Sequence, residues 1–162
     1  IIVNSIKNGG TIYWCGNGGS ASDSQHLAAE LIGRYKSNRN PIKSSSLNSD
    51  TSVITCISND FGYEKVYSRQ LEALAKKNDV LVVISTSGNS KNIIEVIKAA
   101  KKKKIIVLGL LGKSGGKCKK MLSNKIIVNS NSTARIQEMH ITIGHIICDA
   151  VEENYGIRKK RK

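Results

Sequence analysis

The segment that decides the fold is DVLVVISTSGNSKNIIEVIKAA, residues 79–100. It begins with a short apolar run and passes through a loop of small hydroxyl-bearing residues and glycine. It ends in a helical pattern that places Ile93, Ile97 and Ala100 on one face. A strand followed directly by a helix is typical of a βαβ unit. The polar loop at 85–90 therefore lies where a parallel sheet usually binds its ligand.

The same alternation of strand and helix extends in both directions along the chain. Short runs rich in β-branched residues predict further strands at 11–15, 104–110 and 124–130. Apolar residues at helical spacing predict helices over 20–35 and 133–153. This order predicts a buried parallel sheet with helices on both faces, which is one doubly wound α/β domain.

Composition narrows the function classes. Hydrophobic residues make up 40% and charged residues 23% of the chain, as in a globular domain. No apolar run approaches the ~18 residues of a membrane span, so we expect no membrane partner. The net charge is +14, but aromatic residues are only 4% and the basic residues concentrate in short runs. That pattern favours a solvated basic surface, compatible with an anionic substrate, over a nucleic-acid-binding platform.

The four cysteines show no CxxC spacing. Cys15, Cys56 and Cys148 lie in apolar contexts and are interpreted as reduced thiols of the core. Reduced thiols predict a cytoplasmic protein, and no signal peptide is recognisable. Since the chain does not open with Met, we expect that an N-terminal segment precedes it.

A second loop has the same character as the first. The segment CGNGGSAS, residues 15–22, also follows a predicted strand and opens a predicted helix. Both loops combine glycines, free backbone amides and hydroxyl donors, which together suit a phosphate monoester. Neither has the lysine and spacing of a Walker loop or a complete GxGxxG, so a nucleotide is not favoured. A capping box at Ser20–Asp23 is the plain alternative for this loop.

Two helices carry candidate catalytic residues. His26 and Glu30 are four residues apart and share a helical face, although a polar stripe with a Glu30–Arg34 ion pair is an equally simple interpretation. The last helix carries His140 and His145 among many isoleucines. Helical spacing alone does not decide which of these two histidines is functional.

Four segments recur together in a family-specific order. They are CGNGGSASDSQHLAAELIGRY (15–35), SNDFGYEKVYSRQLEA (58–73), DVLVVISTSGNSKNI (79–93) and ARIQEMHITIGHIICD (134–149). Over residues 2–153 the chain resembles the phosphoheptose isomerases of the sugar isomerase (SIS) domain superfamily.

The resemblance implies both a fold and a reaction. The fold would be a three-layer α/β sandwich around a parallel, five-stranded, flavodoxin-like sheet. A single SIS domain would cover 1–157, without the N-terminal helix of the family, and a basic tail would follow at 158–162. The reaction would convert sedoheptulose 7-phosphate to D-glycero-D-manno-heptose 7-phosphate, the first step towards activated heptose for lipopolysaccharide, capsule or glycoprotein. The family further implies a homotetramer with shared active sites and one zinc ion per subunit.

The resemblance also assigns site residues. Glu30 and His145 match the catalytic pair, whereas His140 fits the family pattern without a catalytic role. The metal ligands would be His26, Glu30, Gln137 and His145. The substrate-binding set would be Asn17, Gly18, Gly19, Ser20, Glu30, Asn59, Asp60, Ser85, Thr86, Ser87, Ser90 and Gln137. Glu30 stands in all three sets, and the sequence does not settle whether a metal-bound carboxylate could still act as a base.

An alternative function comes from the same superfamily. A non-enzymatic relative that binds the bacterial replication initiator protein shares the STxGNS and ARIQEMH style of motif. Ala134, where some isomerases have aspartate, agrees with that relative. The relative lacks the glutamate and histidine that match Glu30 and His145, and their presence here favours the enzyme.

Overall fold

The structure, a computed structural model, describes residues 1–156. Its sheet has five parallel strands in the order β2-β1-β3-β4-β5. The strands are β1 (Ile12–Gly16), β2 (Ser44–Ser46), β3 (Val80–Ser85), β4 (Ile106–Gly112) and β5 (Asn124–Val128). The predicted fold class is confirmed. The basic tail expected at 158–162 lies outside the described residues.

Helices connect the strands and cover both faces of the sheet. They are α1 (Ile2–Lys7), α2 (Gly19–Ile32), α3 (Thr51–Phe61), α4 (Val66–Leu74), α5 (Lys91–Lys102), α6 (Gly116–Met121) and α7 (Thr133–Val151). A 3₁₀ turn at Tyr63–Lys65 precedes α4, and a π turn at Glu152–Gly156 follows α7.

The core has two halves, one on each face of the sheet. Side chains of β1 alternate between them: Tyr13 and Cys15 join the half beneath α4 and α5, whereas Ile12 and Trp14 join the half beneath α2 and α7. Burial on both faces explains why the central strands are continuous apolar runs. Because α2 and α7 cover the same face, they pack against each other, which determines where the site forms.

One strand was not predicted, and several element boundaries differ by one to three residues from the sequence pattern. The edge strand β2 is a run of serines without an apolar signal, and Trp14 Nε1 donates a hydrogen bond of 2.9 Å to Ser44 Oγ there. Strand β4 begins at Ile106 because Lys104 has a φ of 59°, a left-handed conformation that no strand accommodates. Helix α2 ends at Ile32 instead of reaching Tyr35.

The interpretation of the cysteines was partly wrong. Cys15 and Cys148 are buried as expected, but Cys56 is exposed. It lies on α3, a helix whose only buried residue is Ile57, so a short apolar context did not mean a core position. Cys118 is buried instead, and burial raises the pKa of its thiol to about 11. Within residues 1–156, none of the helices combines the length and the apolar character needed to cross a bilayer.

Candidate active site

The two glycine- and serine-rich loops lie side by side at the carboxyl ends of β1 and β3. These strands are neighbours, paired from Ile12 with Val80 to Gly16 with Ile84. A small cavity of about 40 Å³ joins the loops. Its lining consists of Asn17, Ser20, Ile84, Ser85, Thr86 and Ser90. The expectation that both loops face one ligand position agrees with this arrangement.

A hydrogen-bond network holds the side chain of Asn17 in the first loop. Asn17 Nδ2 donates to Asn92 Oδ1 at 2.9 Å, and Asn92 Nδ2 donates back to Asn17 Oδ1 at 2.8 Å. The hydroxyls of Tyr63 and Tyr67 also approach Asn17 Oδ1, at 3.2 and 3.1 Å. The sequence pattern did not identify Asn92, Tyr63 or Tyr67. The available signal was that all three stand in family-like segments, Tyr63 and Tyr67 in 58–73 and Asn92 in 79–93.

The second loop is shaped by its own hydroxyls and by a neighbouring loop. Ser85 Oγ accepts a hydrogen bond from Gly88 N at 3.0 Å, and Ser87 Oγ accepts one from Asn89 N at 3.2 Å. Gly88 has a φ of 62°, and a Cβ there would collide with the carbonyl oxygen of Gly115. Glycine is therefore required at Gly88 both by its conformation and by the space around it.

The remaining hydroxyls of this loop face the cavity. Thr86 and Ser90 are half-buried and line it, and no hydrogen bond between described residues uses their side-chain oxygens. Ser90 is the N-cap of α5 but makes no side-chain capping bond. The N-terminus of α5, with its unpaired amides and positive dipole end, is thus directed towards the cavity. These are the features of an anion site.

A second group of polar side chains forms where α2 meets α7. His26 Nε2 lies 2.9 Å from His145 Nε2 and 3.3 Å from Glu30 Oε1. The approach of the helices is close because Gly144 has no side chain: a Cβ there would lie 2.5 Å from Leu27 Cδ1. The structure thus brings His145 to His26 and Glu30. We call these three residues the His–Glu–His cluster.

Two alternatives left open by helical spacing can now be separated. Glu30 pairs with His26, and no carboxylate among residues 1–156 pairs with Arg34, so the plain Glu30–Arg34 stripe is not formed. His140 is fully buried and is not one of the clustered residues. Burial lowers the pKa of His140, and the nearby backbone of Leu111 opposes this in part, although neither ring nitrogen makes a well-formed hydrogen bond with a described residue.

Asp23 is a further polar residue of the site. It is 8% exposed, and its Oδ2 has no hydrogen-bond partner among the described residues. Burial raises the pKa of Asp23, while the side chain of Gln137 and the imidazoles of His26 and His145 act in the opposite direction. The sequence placed Asp23 in a capping box. The structure does not form that alternative, because the N-cap of α2 is Gly18 and no side chain caps it.

The donor set of the cluster fits a metal ion. The His–Glu–His cluster offers two imidazole nitrogens and a carboxylate oxygen, with the three ligand atoms within 4.8 Å of one another. These are ligand types that zinc takes in proteins. Gln137, the fourth predicted ligand, packs against Gly19 and next to Asp23, so it stands at the same helix junction.

The structure does not bring every predicted site residue together. Asn59 and Asp60 are exposed at the end of α3, where Asn59 Nδ2 donates to Asp60 Oδ1 at 2.8 Å. The only other side-chain hydrogen bond of Asp60 within residues 1–156 is with the thiol of Cys56, at 3.7 Å. Within residues 1–156, no side-chain hydrogen bond links them to the cavity or to the His–Glu–His cluster, and neither lines the cavity.

Comparison with known proteins places this fold and site in a class. The sheet order, the two hydroxyl-rich loops and the cluster occur in a chain whose residues 1–112 match the SIS domain family. A phosphoheptose isomerase from Campylobacter concisus (strain 13826) is 54% identical over 155 residues, covering 96% of this chain and 82% of that protein. One from Helicobacter pylori (strain Shi470) is 52% identical over 156 residues, covering 96% and 81%.

Solved structures agree with these relatives. The phosphoheptose isomerase from Neisseria gonorrhoeae superposes with a TM-score of 0.89 at 44% identity, over 94% of this chain and 81% of that one. The enzyme from Francisella tularensis gives 0.91 at 34% identity, with the same coverage. The chain belongs to the phosphoheptose isomerase family of SIS-domain proteins.

Proposed function

We propose that the chain is a sugar-phosphate isomerase that converts sedoheptulose 7-phosphate to D-glycero-D-manno-heptose 7-phosphate. Membership of the phosphoheptose isomerase family supports the reaction class. The observation that carries the assignment to this site is the meeting of Glu30 and His145 in one cluster, with His26 between them at 3.3 and 2.9 Å. The product would supply activated heptose for lipopolysaccharide, capsule or glycoprotein.

The phosphate would bind at the serine-rich loop. Ser85 and Ser87 accept backbone hydrogen bonds through their oxygens, so their hydroxyl protons remain free to donate. Thr86 and Ser90 add two more donors beside the N-terminus of α5. Neutral donors at a helix N-terminus bind a phosphate without an accompanying lysine.

The first loop would hold the sugar. Asn17 and Ser20 line the same cavity as the phosphate donors, and Asn92 fixes the amide of Asn17. Gly18 and Gly19 allow the substrate to approach the backbone, and Gln137 packs directly over Gly19. A sugar anchored by its phosphate would thus extend from the loops towards α7.

The chemistry requires two proton transfers. Moving the carbonyl from C2 to C1 through an enediol takes a proton from one carbon, gives it to the next, and exchanges protons between the two oxygens. We assign the transfer between carbons to Glu30 and the transfer at oxygen to His145. His26 orients the Glu30 carboxylate through Oε1, which leaves the second oxygen of Glu30 available.

We further propose that the cluster holds one zinc ion per subunit. His26, Glu30 and His145 would be ligands through one atom each, with Gln137 as the fourth, so a second oxygen of Glu30 and a second nitrogen of His145 would remain for proton transfer. A bound zinc ion would polarise the substrate carbonyl as a Lewis acid.

The working form is proposed to be a cytoplasmic homotetramer of single SIS domains, each covering 1–157 with the basic tail at 158–162. Two observations support assembly. Met139 and Ile146 on α7 are 46% and 61% exposed, an apolar face that a partner subunit would cover. Asn59 and Asp60 are exposed on α3 and do not line the cavity between the two loops of their own chain, so they are available to complete the site of a neighbour.

Incubation with sedoheptulose 7-phosphate, followed by NMR of the anomeric signals, tests the proposal directly. Appearance of aldose signals is the expected result. Glu138→Gln is the matched control for changes at Glu30, because Glu138 is exposed on α7 and its one ion pair among residues 1–156 is with Arg135. No aldose formation by the wild-type protein, with zinc supplied, would overturn the function.

A further inference from the structure

One carboxylate behind the His–Glu–His cluster has an unusual number of donors. Glu152, in the turn that follows α7, accepts backbone hydrogen bonds from Tyr35, Lys36 and Ser37 at 2.9, 3.1 and 2.8 Å. Arg39 Nε donates to the same carboxylate at 3.1 Å. The Glu152 and Arg39 side chains are only 6% and 1% exposed. Burial alone would raise the pKa of Glu152, but the three amides and the guanidinium hold it below its ordinary value.

The guanidinium of Arg39 is used on its other side as well. Nη2 donates to the carbonyl oxygen of Glu30 at 2.6 Å, and Nη1 donates to that of Leu31 at 2.8 Å. These carbonyls belong to the last turn of α2, where no intrahelical donor is available. Arg39 therefore caps the C-terminus of α2, the helix that carries His26 and Glu30. Its partner Glu152 lies in the turn that follows α7, the helix that carries His145.

The loop held by Glu152 also reaches the cluster itself. The ring of Tyr35 stacks on the imidazole of His145, with 5.6 Å between ring centroids and 24° between planes. The backbone amide of Tyr35 is one of the three that Glu152 accepts. The Glu152 carboxylate thus holds the backbone of the residue whose ring stacks on His145.

We infer that Glu152 and Arg39 are positioning residues for the His–Glu–His cluster, and that Tyr35 is the side chain through which they orient His145. The inference rests on the proposed function of Glu30 and His145. A buried ion pair with four donors on one carboxylate specifies geometry, and a small displacement of a catalytic group lowers the rate strongly.

The chain provides a matched control. Asp149, one turn earlier on α7, binds Lys36 of the same loop, with 2.5 Å between Oδ2 and Nζ. That pair is open to solvent, with side chains 39% and 60% exposed, and Lys36 Nζ also lies 5.2 Å from the centroid of the Tyr35 ring. Asp149→Asn therefore removes a charge and a contact to the same loop without changing the buried Glu152–Arg39 ion pair.

The test compares Glu152→Gln and Tyr35→Ala with Asp149→Asn. The imidazole resonances of ¹⁵N-histidine-labelled, ligand-free protein are recorded, with the His145 signal assigned from a His145→Ala sample. We expect both variants to shift the His145 resonances and to lower kcat by roughly 10- to 100-fold. KM should stay unchanged, since the serine-rich loop proposed to bind the phosphate makes no hydrogen bond with the Glu152–Arg39 ion pair. Asp149→Asn should change neither, and Tyr35→Phe should restore the resonances lost in Tyr35→Ala.

Each outcome decides the inference. A Glu152→Gln protein with a lower melting temperature but wild-type His145 resonances and kcat would reduce the pair to a structural role and overturn it. If Glu152→Gln does not fold, Tyr35→Ala decides, because it leaves the ion pair intact: wild-type resonances there would equally overturn it. Wild-type protein without isomerase activity would contradict the proposed function alone, while the resonances would still test the positioning.

Discussion

The Nε2 atoms of His26 and His145 lie 2.9 Å apart, although 119 positions separate the two residues in the chain. Two N–H groups cannot face each other at that distance, so at least one of these nitrogens presents a lone pair. Such a nitrogen can accept a proton or bind a metal. The first two predictions follow from this pair and from Glu30.

Replacing Glu30 with Gln, or His145 with Ala, should lower turnover by at least ~100-fold, because each removes a group that transfers a proton. Steady-state rates with sedoheptulose 7-phosphate measure the effect. Glu138→Gln, a surface change on α7, should retain the wild-type rate. Near-native turnover in both Glu30→Gln and His145→Ala would contradict the assignment.

His26→Ala should lower the zinc content of the protein, because it removes one of three clustered ligands. Metal analysis after zinc loading and desalting gives the stoichiometry. His140→Leu is the control, since His140 is fully buried and is not one of the three clustered ligands. Equal zinc content in His26→Ala and wild-type protein would rule out this site.

Ser90→Ala should raise KM and leave thermal stability nearly unchanged. Its hydroxyl lines the cavity but makes no capping bond, so removal costs the phosphate a hydrogen bond of roughly 1.5–3 kcal/mol and costs α5 little. Ser132→Ala should do the opposite, since Ser132 Oγ caps α7 by accepting from Arg135 N. A loss of about 1 kcal/mol in stability without a change in KM is expected there. An unchanged KM in Ser90→Ala would refute the phosphate site.

His140 should make the protein sensitive to mild acid. Because burial lowers its pKa in the folded state, the unfolded chain binds the proton more readily. The free energy of unfolding therefore has its full value above the pKa of the unfolded chain's histidine, about 6.5. It falls as the pH decreases below that pKa, by up to about 1.4 kcal/mol per pH unit. Urea denaturation at several pH values between neutral and mildly acidic should show a smaller change of the free energy of unfolding with pH for His140→Leu than for the wild type. Equal slopes would show that His140 does not titrate in this way.

Ile146→Asp should dissociate the proposed tetramer and abolish activity, because Ile146 is a 61% exposed apolar residue of α7. Sedimentation velocity at assay concentration measures assembly. Ile106→Asp is the comparison, since Ile106 is 48% exposed at the opposite end of the sheet from the site. A fully active wild-type monomer would exclude a shared site.

The sequence predicted what depends on apolar periodicity. Strands β1, β3 and β4 were recognisable because both of their faces are buried, whereas β2 is polar and lies at the edge of the sheet. The pairing of Asn17 with Asn92 could not be predicted, because no local pattern links residues on two different loops. The choice between His140 and His145 depended on which face of α7 meets α2, and the contact of Gly144 with Leu27 determines that.

The contact between Gly88 and Gly115 restricts how this protein can diversify. The two loops also exchange backbone and side-chain hydrogen bonds, from Cys118 N to Gly88 O and from Lys117 N to Asn89 Oδ1. Any side chain introduced at Gly88 to reshape the anion-binding loop would collide with the backbone of Gly115. Acceptance of a different sugar phosphate through this loop would therefore need simultaneous changes in both segments, so we expect them to covary during evolution and to be replaced together in any redesign.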